Sequence, residues 1–101
     1  MGEIYLVTDI INEKKYIGQT RVGFQKRWSE HVSHANNEKS DFSVLHRAMK
    51  KYGIPSFRVE KIFECPEEEL NFHEQRLIEE YDSLHPRGYN LVTGGKGKAV
   101  S

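Results

Sequence analysis

Glu3-Ile4-Tyr5-Leu6-Val7-Thr8 and Lys14-Lys15-Tyr16-Ile17-Gly18 are the stretches on which the fold turns. Each is short, rich in β-formers and carries a tyrosine. The segment from Asp9 to Lys14 is polar apart from Ile10 and Ile11, and Asn12 favours a turn. The pair reads as a hairpin ended by Gly18. Paired strands would let the phenols of Tyr5 and Tyr16 point at one shared site. A phenol can position water or take a proton if a nearby cation lowers its pKa. Tyrosine is also a favoured strand residue that packs with its hydroxyl at the rim, so both readings stand.

Downstream the period changes. Phe24, Trp28, Val32 and Ala35 recur at helical spacing over 22–35, and Asn36-Asn37 ends that helix. A second helix is expected over about 42–52. Asp41 or Ser43 can cap it, Leu45, Ala48, Met49 and Tyr52 form its stripe, and Gly53 suits the position just past its end. Phe57, Val59, Lys61 and Phe63 alternate, which predicts a third strand over 57–63 with these four on one face. Pro66 and Glu67-Glu68-Glu69 suit the start of a last helix running to about Tyr81. A short extended piece is expected at Tyr89 to Val92. The order is β-β-α-α-β-α, an α+β class with a three-stranded antiparallel sheet flanked by three helices. Residues 1–93 make one domain, and 94–101 a Gly/Lys tail or the start of a linker.

Three further groups could carry chemistry. Arg27 and His31 are four apart and share a helix face, continued by His34. That stripe lies beside the Phe24–Trp28–Val32 stripe, at the edge of the core, where a groove can form. Arginine offers a planar fork to phosphate oxygens, and histidine exchanges protons near neutral pH. The bland reading is a solvated face shared with Lys26 and Glu30. Glu74 falls on one face with Leu70, Leu77, Ile78 and Tyr81. A carboxylate on an apolar stripe is costly unless paired, hydrogen-bonded or metal-bound. It can hold Mg2+ with waters and phosphate oxygens, or pair with Arg27 or Arg47, or sit at the stripe's frayed edge.

Composition narrows the classes. Lys plus Arg and Asp plus Glu each number 15, so the formal charge is zero. Nucleic-acid binding is driven by phosphate neutralisation. The chain therefore binds DNA weakly, gathers its cations on one face, or borrows affinity from another domain. Such a face would consist of Lys14, Lys15, Arg21, Lys26 and Arg27, with Arg47 and Lys50 at its margin. A single Cys65 excludes an internal disulfide framework and fits a reducing compartment. No apolar run reaches membrane-spanning length, and the start lacks a signal-peptide pattern. A cytoplasmic protein with no membrane partner is expected. His73-Glu74 opens a zinc-protease pattern, but Leu77 takes the second histidine's place. The glycine tail is not a phosphate loop, because Ala99 follows Lys98.

Taken together, in this order and spacing, the residues resemble the GIY-YIG nuclease family from about Glu3 to Leu91. Ile4-Tyr5 and Tyr16-Ile17-Gly18 match its two name-giving motifs, with Glu3 where glycine usually stands. Arg27, His31, Glu74 and Asn90 match the family arginine, histidine, metal-binding glutamate and late asparagine. Arg27-Trp28-x-x-His31, Lys51-Tyr52-Gly53 and Gly88-Tyr89-Asn90-Leu91 look most like the homing-endonuclease branch of phage and intron origin. Glu3 adds a negative charge near Tyr5, and its strand position is expected to point it away. The auxiliary histidine that some homing enzymes carry has no counterpart in Lys39-Ser40-Asp41.

The resemblance implies hydrolysis of DNA phosphodiesters with one divalent cation, Mg2+ or Mn2+, held by Glu74. It implies Tyr5 as general base, His31 or Tyr16 relieving its proton, Arg27 neutralising the phosphate, and Asn90 orienting its neighbours. The base could equally be Tyr16. Lys14, Lys15, Arg21, Lys26 and Arg47 would line the DNA. An attached or separate sequence-specific DNA-binding domain, in a phage or bacterial host, would supply the target site. The rival reading is a non-catalytic DNA- or protein-binding module on a degenerate nuclease fold. Retention of Tyr5, Tyr16, Arg27, His31, Glu74 and Asn90 favours the enzyme.

Overall fold

The computed structural model describes residues 1–35 and 44–91, the side chains of His34 and Ala35 excepted. The elements run β1 (Gly2–Asp9), β2 (Lys15–Thr20), α1 (Phe24–Ala35), α2 (Val44–Tyr52), β3 (Phe57–Cys65) and α3 (Leu70–Tyr81). The β-β-α-α-β-α order is as expected. His34, the expected caps Asp41 and Ser43, Asn36-Asn37, the Lys39-Ser40-Asp41 stretch, Val92 and the tail 94–101 lie outside the described residues.

The sheet is antiparallel with order β2-β1-β3. β1 is central and covered on both faces, which is why Ile4, Tyr5, Leu6 and Val7 form an unbroken apolar run and are all buried. Alternation sends their side chains to opposite faces. Ile4 and Leu6 join Ile17, Cys65, Leu70, Leu77 and Ile78 under α3. Tyr5 and Val7 join Leu45, Ala48, Met49 and Tyr89 under α1 and α2. The result is three layers, with a sheet between one helix and two.

Three expectations are corrected. Phe57, Val59, Lys61 and Phe63 do not share one face. Ile4 pairs with Phe63 and Tyr5 with Lys61, so a bulge makes Ile62 the extra residue. Phe57 and Val59 pack against the α1–α2 cluster, whereas Ile62 and Phe63 pack under α3. The bulge lets one strand serve both cores, a shift that alternation in sequence cannot show. The last helix does not begin at Pro66. Glu67–Glu69 form a 3-10 turn in which the Glu69 amide donates to the Pro66 carbonyl at 2.9 Å, and α3 starts at Leu70. The extended piece at Tyr89 is a loop, over its described residues, with one bridge from Leu84 to Asn90.

That loop seals the free edge of β2. The Tyr89 amide donates to the Lys15 carbonyl at 2.8 Å. Asn90 Oδ1 accepts from the Ile17 amide at 2.8 Å, and its Nδ2 donates to the Ile17 carbonyl at 2.9 Å. Ser83 Oγ donates to the same Oδ1 at 2.7 Å. Asn90 therefore pairs Ile17 as a neighbouring strand would. Gly88 is required for this turn, because a Cβ there would run into the Ser83 backbone.

The Asn90 clamp yields a stability prediction. Asn90→Ala leaves the amide and carbonyl of Ile17 and the Ser83 hydroxyl without these partners, at about 1–3 kcal/mol for each buried group left unsatisfied. Denaturant unfolding should show a loss of at least about 2 kcal/mol. A change within about 0.5 kcal/mol, the usual range for surface positions, would rule the clamp out.

Candidate active site

The site forms around the edge strand. Tyr5 lies opposite Gly18, and Tyr16 opposite Val7, so the two tyrosines are diagonal neighbours across the β1–β2 pair. Their ring centroids are 6.4 Å apart. Gly18 makes this possible, since a Cβ there would collide with the Tyr5 ring. The glycine after Tyr16-Ile17 is thus a packing requirement of the tyrosine on the neighbouring strand.

Helix α1 crosses this pair. His31 Nε2 lies 2.8 Å from the Tyr5 hydroxyl, and the His31 ring stands edge-on to Tyr16 at 5.7 Å. One turn earlier Arg27 extends beside the phenols, with its Nη1 donating to Glu30 Oε1 at 2.9 Å.

Burial raises the Tyr5 phenol well above its ordinary pKa; the Tyr16 phenol beside it adds to this, and the Arg27 cation opposes it. Tyr16 is likewise raised, first by burial and then by the Glu74 carboxylate, with Arg27 again opposing. Burial alone would lower the Arg27 guanidinium. Its hydrogen bond to Glu30 and the nearby phenols outweigh that and push it up. The phenols are therefore protonated at neutral pH and the guanidinium charged.

Glu74 reaches the same edge from α3, on the opposite face of the sheet. It is buried as its stripe predicts, and Gln19 Nε2 donates to its Oε1 at 2.8 Å. Gln19 also donates to Asn71 Oδ1 at 2.8 Å. Successive β2 residues thus serve opposite sides, Gly18 giving room to Tyr5 and Gln19 holding the carboxylate. Among the described residues no three His, Cys, Asp or Glu side chains gather as a ready-made metal site. A lone carboxylate fits a cation that keeps several waters and takes its other oxygens from a phosphate.

The remaining predicted residues are placed as follows. Asn90 is buried behind β2, where it positions the strand between Tyr16 and Gly18. Lys14 and Lys15 are half-buried at the start of β2, and the Lys15 Nζ donates to the Glu13 carbonyl at 3.3 Å. Arg21 is exposed and 3.8 Å from Glu67. Lys26, Arg47 and Lys50 are exposed on α1 and α2. Glu3 does not point away: it shares the face of Tyr5 by alternation, but its carboxylate accepts the Phe24 amide at 2.9 Å and lies 3.9 Å from Lys61.

Sequence reasoning missed Gln19, Asp9 and His46. Asp9 is fully buried at the hairpin turn and accepts from the Tyr89 hydroxyl at 2.7 Å. Its only signal was a carboxylate ending an apolar run. His46 had a signal as well, being a histidine flanking the apolar stripe of α2.

The profile of the GIY-YIG catalytic domain matches residues 1–90. A protein of Invertebrate iridescent virus 6, "Uncharacterized protein 019R", is 33% identical over 101 residues, covering 99% of this chain and 34% of that protein. The putative endonuclease segD of Enterobacteria phage T4 is 30% identical over 103 residues, covering 96% of this chain and 40% of its own length. The chain thus spans between a third and two fifths of these relatives. A mutant of the catalytic domain of intron endonuclease I-TevI superposes with a TM-score of 0.81 at 29% identity, covering 96% of this chain and all of that one. A second structure, the catalytic domain of homing endonuclease I-TevI, gives 0.77 at 26% identity over 91% of this chain and 99% of that one.

The raised phenols predict alkaline behaviour. A folded-state pKa above the unfolded value means the folded chain holds the proton more tightly, so stability is level at lower pH. It falls once pH exceeds about 10, where unfolded phenols ionise and folded ones do not. In an ultraviolet-absorbance titration Tyr5 and Tyr16 should stay silent until the chain unfolds. Tyr89, pushed up to about 12 mainly by burial, should ionise late as well. Ionisation of Tyr5 near 10 in the folded chain, seen by comparison with Tyr5→Phe, would contradict the buried site.

Proposed function

The chain belongs to the GIY-YIG family and carries its nuclease domain, and from that premise we propose that Tyr5, Tyr16, Arg27, His31 and Glu74 hydrolyse a DNA phosphodiester with Mg2+ or Mn2+ held at Glu74. The observation that carries this is the convergence of two phenols, a guanidinium, an imidazole and a carboxylate on one strand edge from four elements and both sheet faces. Nucleases of this family are generally metal-dependent, and DNA is the substrate such a domain implies.

The resting phenols are protonated, so neither is a standing phenolate base. The Tyr5–Tyr16 pair works instead as a relay. The Tyr5 oxygen takes a proton from the attacking water, directly or through the Tyr16 hydroxyl, which passes its own proton on as it gains one, while the Tyr5 hydroxyl gives its original proton to His31 Nε2. The forming hydroxide adds to phosphorus, and the 3′ or 5′ oxygen departs. Arg27 faces the extra negative charge of the pentavalent phosphate. Glu74 would hold a divalent cation, which when bound would supply polarisation of the phosphate and stabilisation of the leaving oxygen. Asn90 and Gln19 hold the parts in register and touch no reacting atom.

Lys14, Lys15, Lys26, Arg47 and Lys50 would contact backbone phosphates, with Arg21 partly engaged by Glu67. With zero net charge this domain supplies little affinity, so site choice belongs to a DNA-binding region elsewhere in a homing-type enzyme. Residues 94–101 suit a linker to it.

Nicking of supercoiled plasmid in Mg2+, abolished by chelator, tests the activity. Glu74→Ala should lose nicking while its thermal unfolding stays close to that of the parent. A folded Glu74→Ala chain that still nicks in Mg2+ would remove the metal from Glu74.

Arg27→Ala should lower single-turnover cleavage by about 100-fold or more, the scale of one lost preorganised donor, with little change in DNA affinity. Arg27→Lys should restore little, because an ammonium lacks the planar fork. If affinity fell in step with rate, Arg27 would be a general phosphate anchor instead.

A further inference from the structure

His31 has a second partner that the proposed chemistry does not yet use. Its Nε2 faces the Tyr5 hydroxyl at 2.8 Å, and its Nδ1 faces His46 Nε2 at 2.9 Å. The two imidazoles are buried, with 4% and 5% of their residue surface exposed, and their centroids lie 5.2 Å apart at 63°. Tyr5, His31 and His46 thus form a continuous row of hydrogen-bonding atoms from β1 through α1 to α2.

A neutral imidazole carries one N–H and one acceptor nitrogen. To receive the Tyr5 proton, His31 must keep Nε2 bare, which puts its hydrogen on Nδ1. That N–H points at His46 Nε2, which must then be an acceptor. We propose that His46 is a positioning residue for cleavage: it accepts the His31 Nδ1–H, fixes the tautomer that leaves Nε2 open to Tyr5, and steadies the imidazolium formed when the proton arrives. This rests on the reading of His31 as the proton acceptor given above. The part is that of the group behind the imidazole in a hydrolase triad, taken here by a neutral ring.

The balance is simple. One proton leaves the Tyr5 hydroxyl for His31 Nε2 as the Tyr5 oxygen gains one from the water side. His31 becomes an imidazolium with both nitrogens protonated, its Nδ1–H still donated to His46. No proton need leave His46, and no other reactant is required. Placement on α2 also makes the tautomer depend on how α2 docks against α1.

Two measurements on the whole chain test this. In the first, nitrogen-15 NMR of labelled histidines reads the tautomers directly, without DNA or metal. His31 should be the Nδ1–H form in the parent chain and in His46→Gln, whose side-chain oxygen can accept the same hydrogen. In His46→Leu it should shift toward the Nε2–H form. In the second, single-turnover nicking by His46→Leu should be slower by about 10- to 100-fold, the cost seen for lost partners behind a functional imidazole. DNA affinity should be unchanged, and His46→Gln should recover most of the rate.

An Nε2–H tautomer of His31 in the parent overturns the proposal, and does so even if His46→Leu fails to fold. So does parental nicking by His46→Leu, or an equal rate loss in folded His46→Leu and His46→Gln. Full activity in His31→Ala would instead remove the underlying acid–base role of His31. An Nδ1–H tautomer held by His46 would still establish the contact in that case.

Discussion

A strand at the edge of a sheet exposes the backbone groups that point away from its neighbour, and β2 holds Tyr16, Gly18 and Gln19 on such an edge. The double hydrogen bond between Asn90 and the backbone of Ile17 answers that constraint. It holds the strand between Tyr16 and Gly18 from outside, while β1 holds it from inside. Everything chemical is then measured from β2. Gly18 admits the Tyr5 ring, Tyr16 sets the second phenol, and Gln19 fixes the carboxylate reaching over from α3. The clamp belongs to a segment 73 residues away in sequence, so the site depends on contacts between distant parts of the chain.

Burial shapes the chemistry as strongly as it shapes the fold. A phenol packed inside a three-layer core cannot rest as an anion, and the carboxylate across the strand edge makes ionisation harder still. Arg27 opposes both effects without reversing them. The arrangement favours passing a proton along neutral groups over holding a charged base in wait. In the proposed relay the contact between Tyr5 and His31 therefore matters more than the nominal basicity of either ring.

Much of this was legible in the sequence. Periodicity gave the element order, and the apolar run at Ile4 to Val7 marked a strand covered on both sides. The odd position of Glu74 on the α3 stripe marks the carboxylate in the sequence itself. What stayed hidden depended on contacts between distant segments. The bulge at Ile62 follows from the need of β3 to feed two cores, which no local pattern encodes. Gln19 and Asp9 look like ordinary polar residues until α3 and Tyr89 are brought against them. His46 stood on the flank of an apolar stripe, but only the docking of α2 on α1 gives it a neighbour. Asn90 orients the backbone of one edge residue, Ile17, a target that no local pattern around it names.

Glu3 shows how a departure from a family pattern can be harmless to a polyanionic substrate. Its carboxylate takes a free amide at the positive start of α1 and lies near the Lys61 ammonium of β3. The negative field it would otherwise cast toward an approaching phosphate ends within the protein. The same side chain pins the beginning of the helix whose next turns carry Arg27 and His31. A residue that adds a charge to the first motif therefore acts as a local counter-ion and anchor.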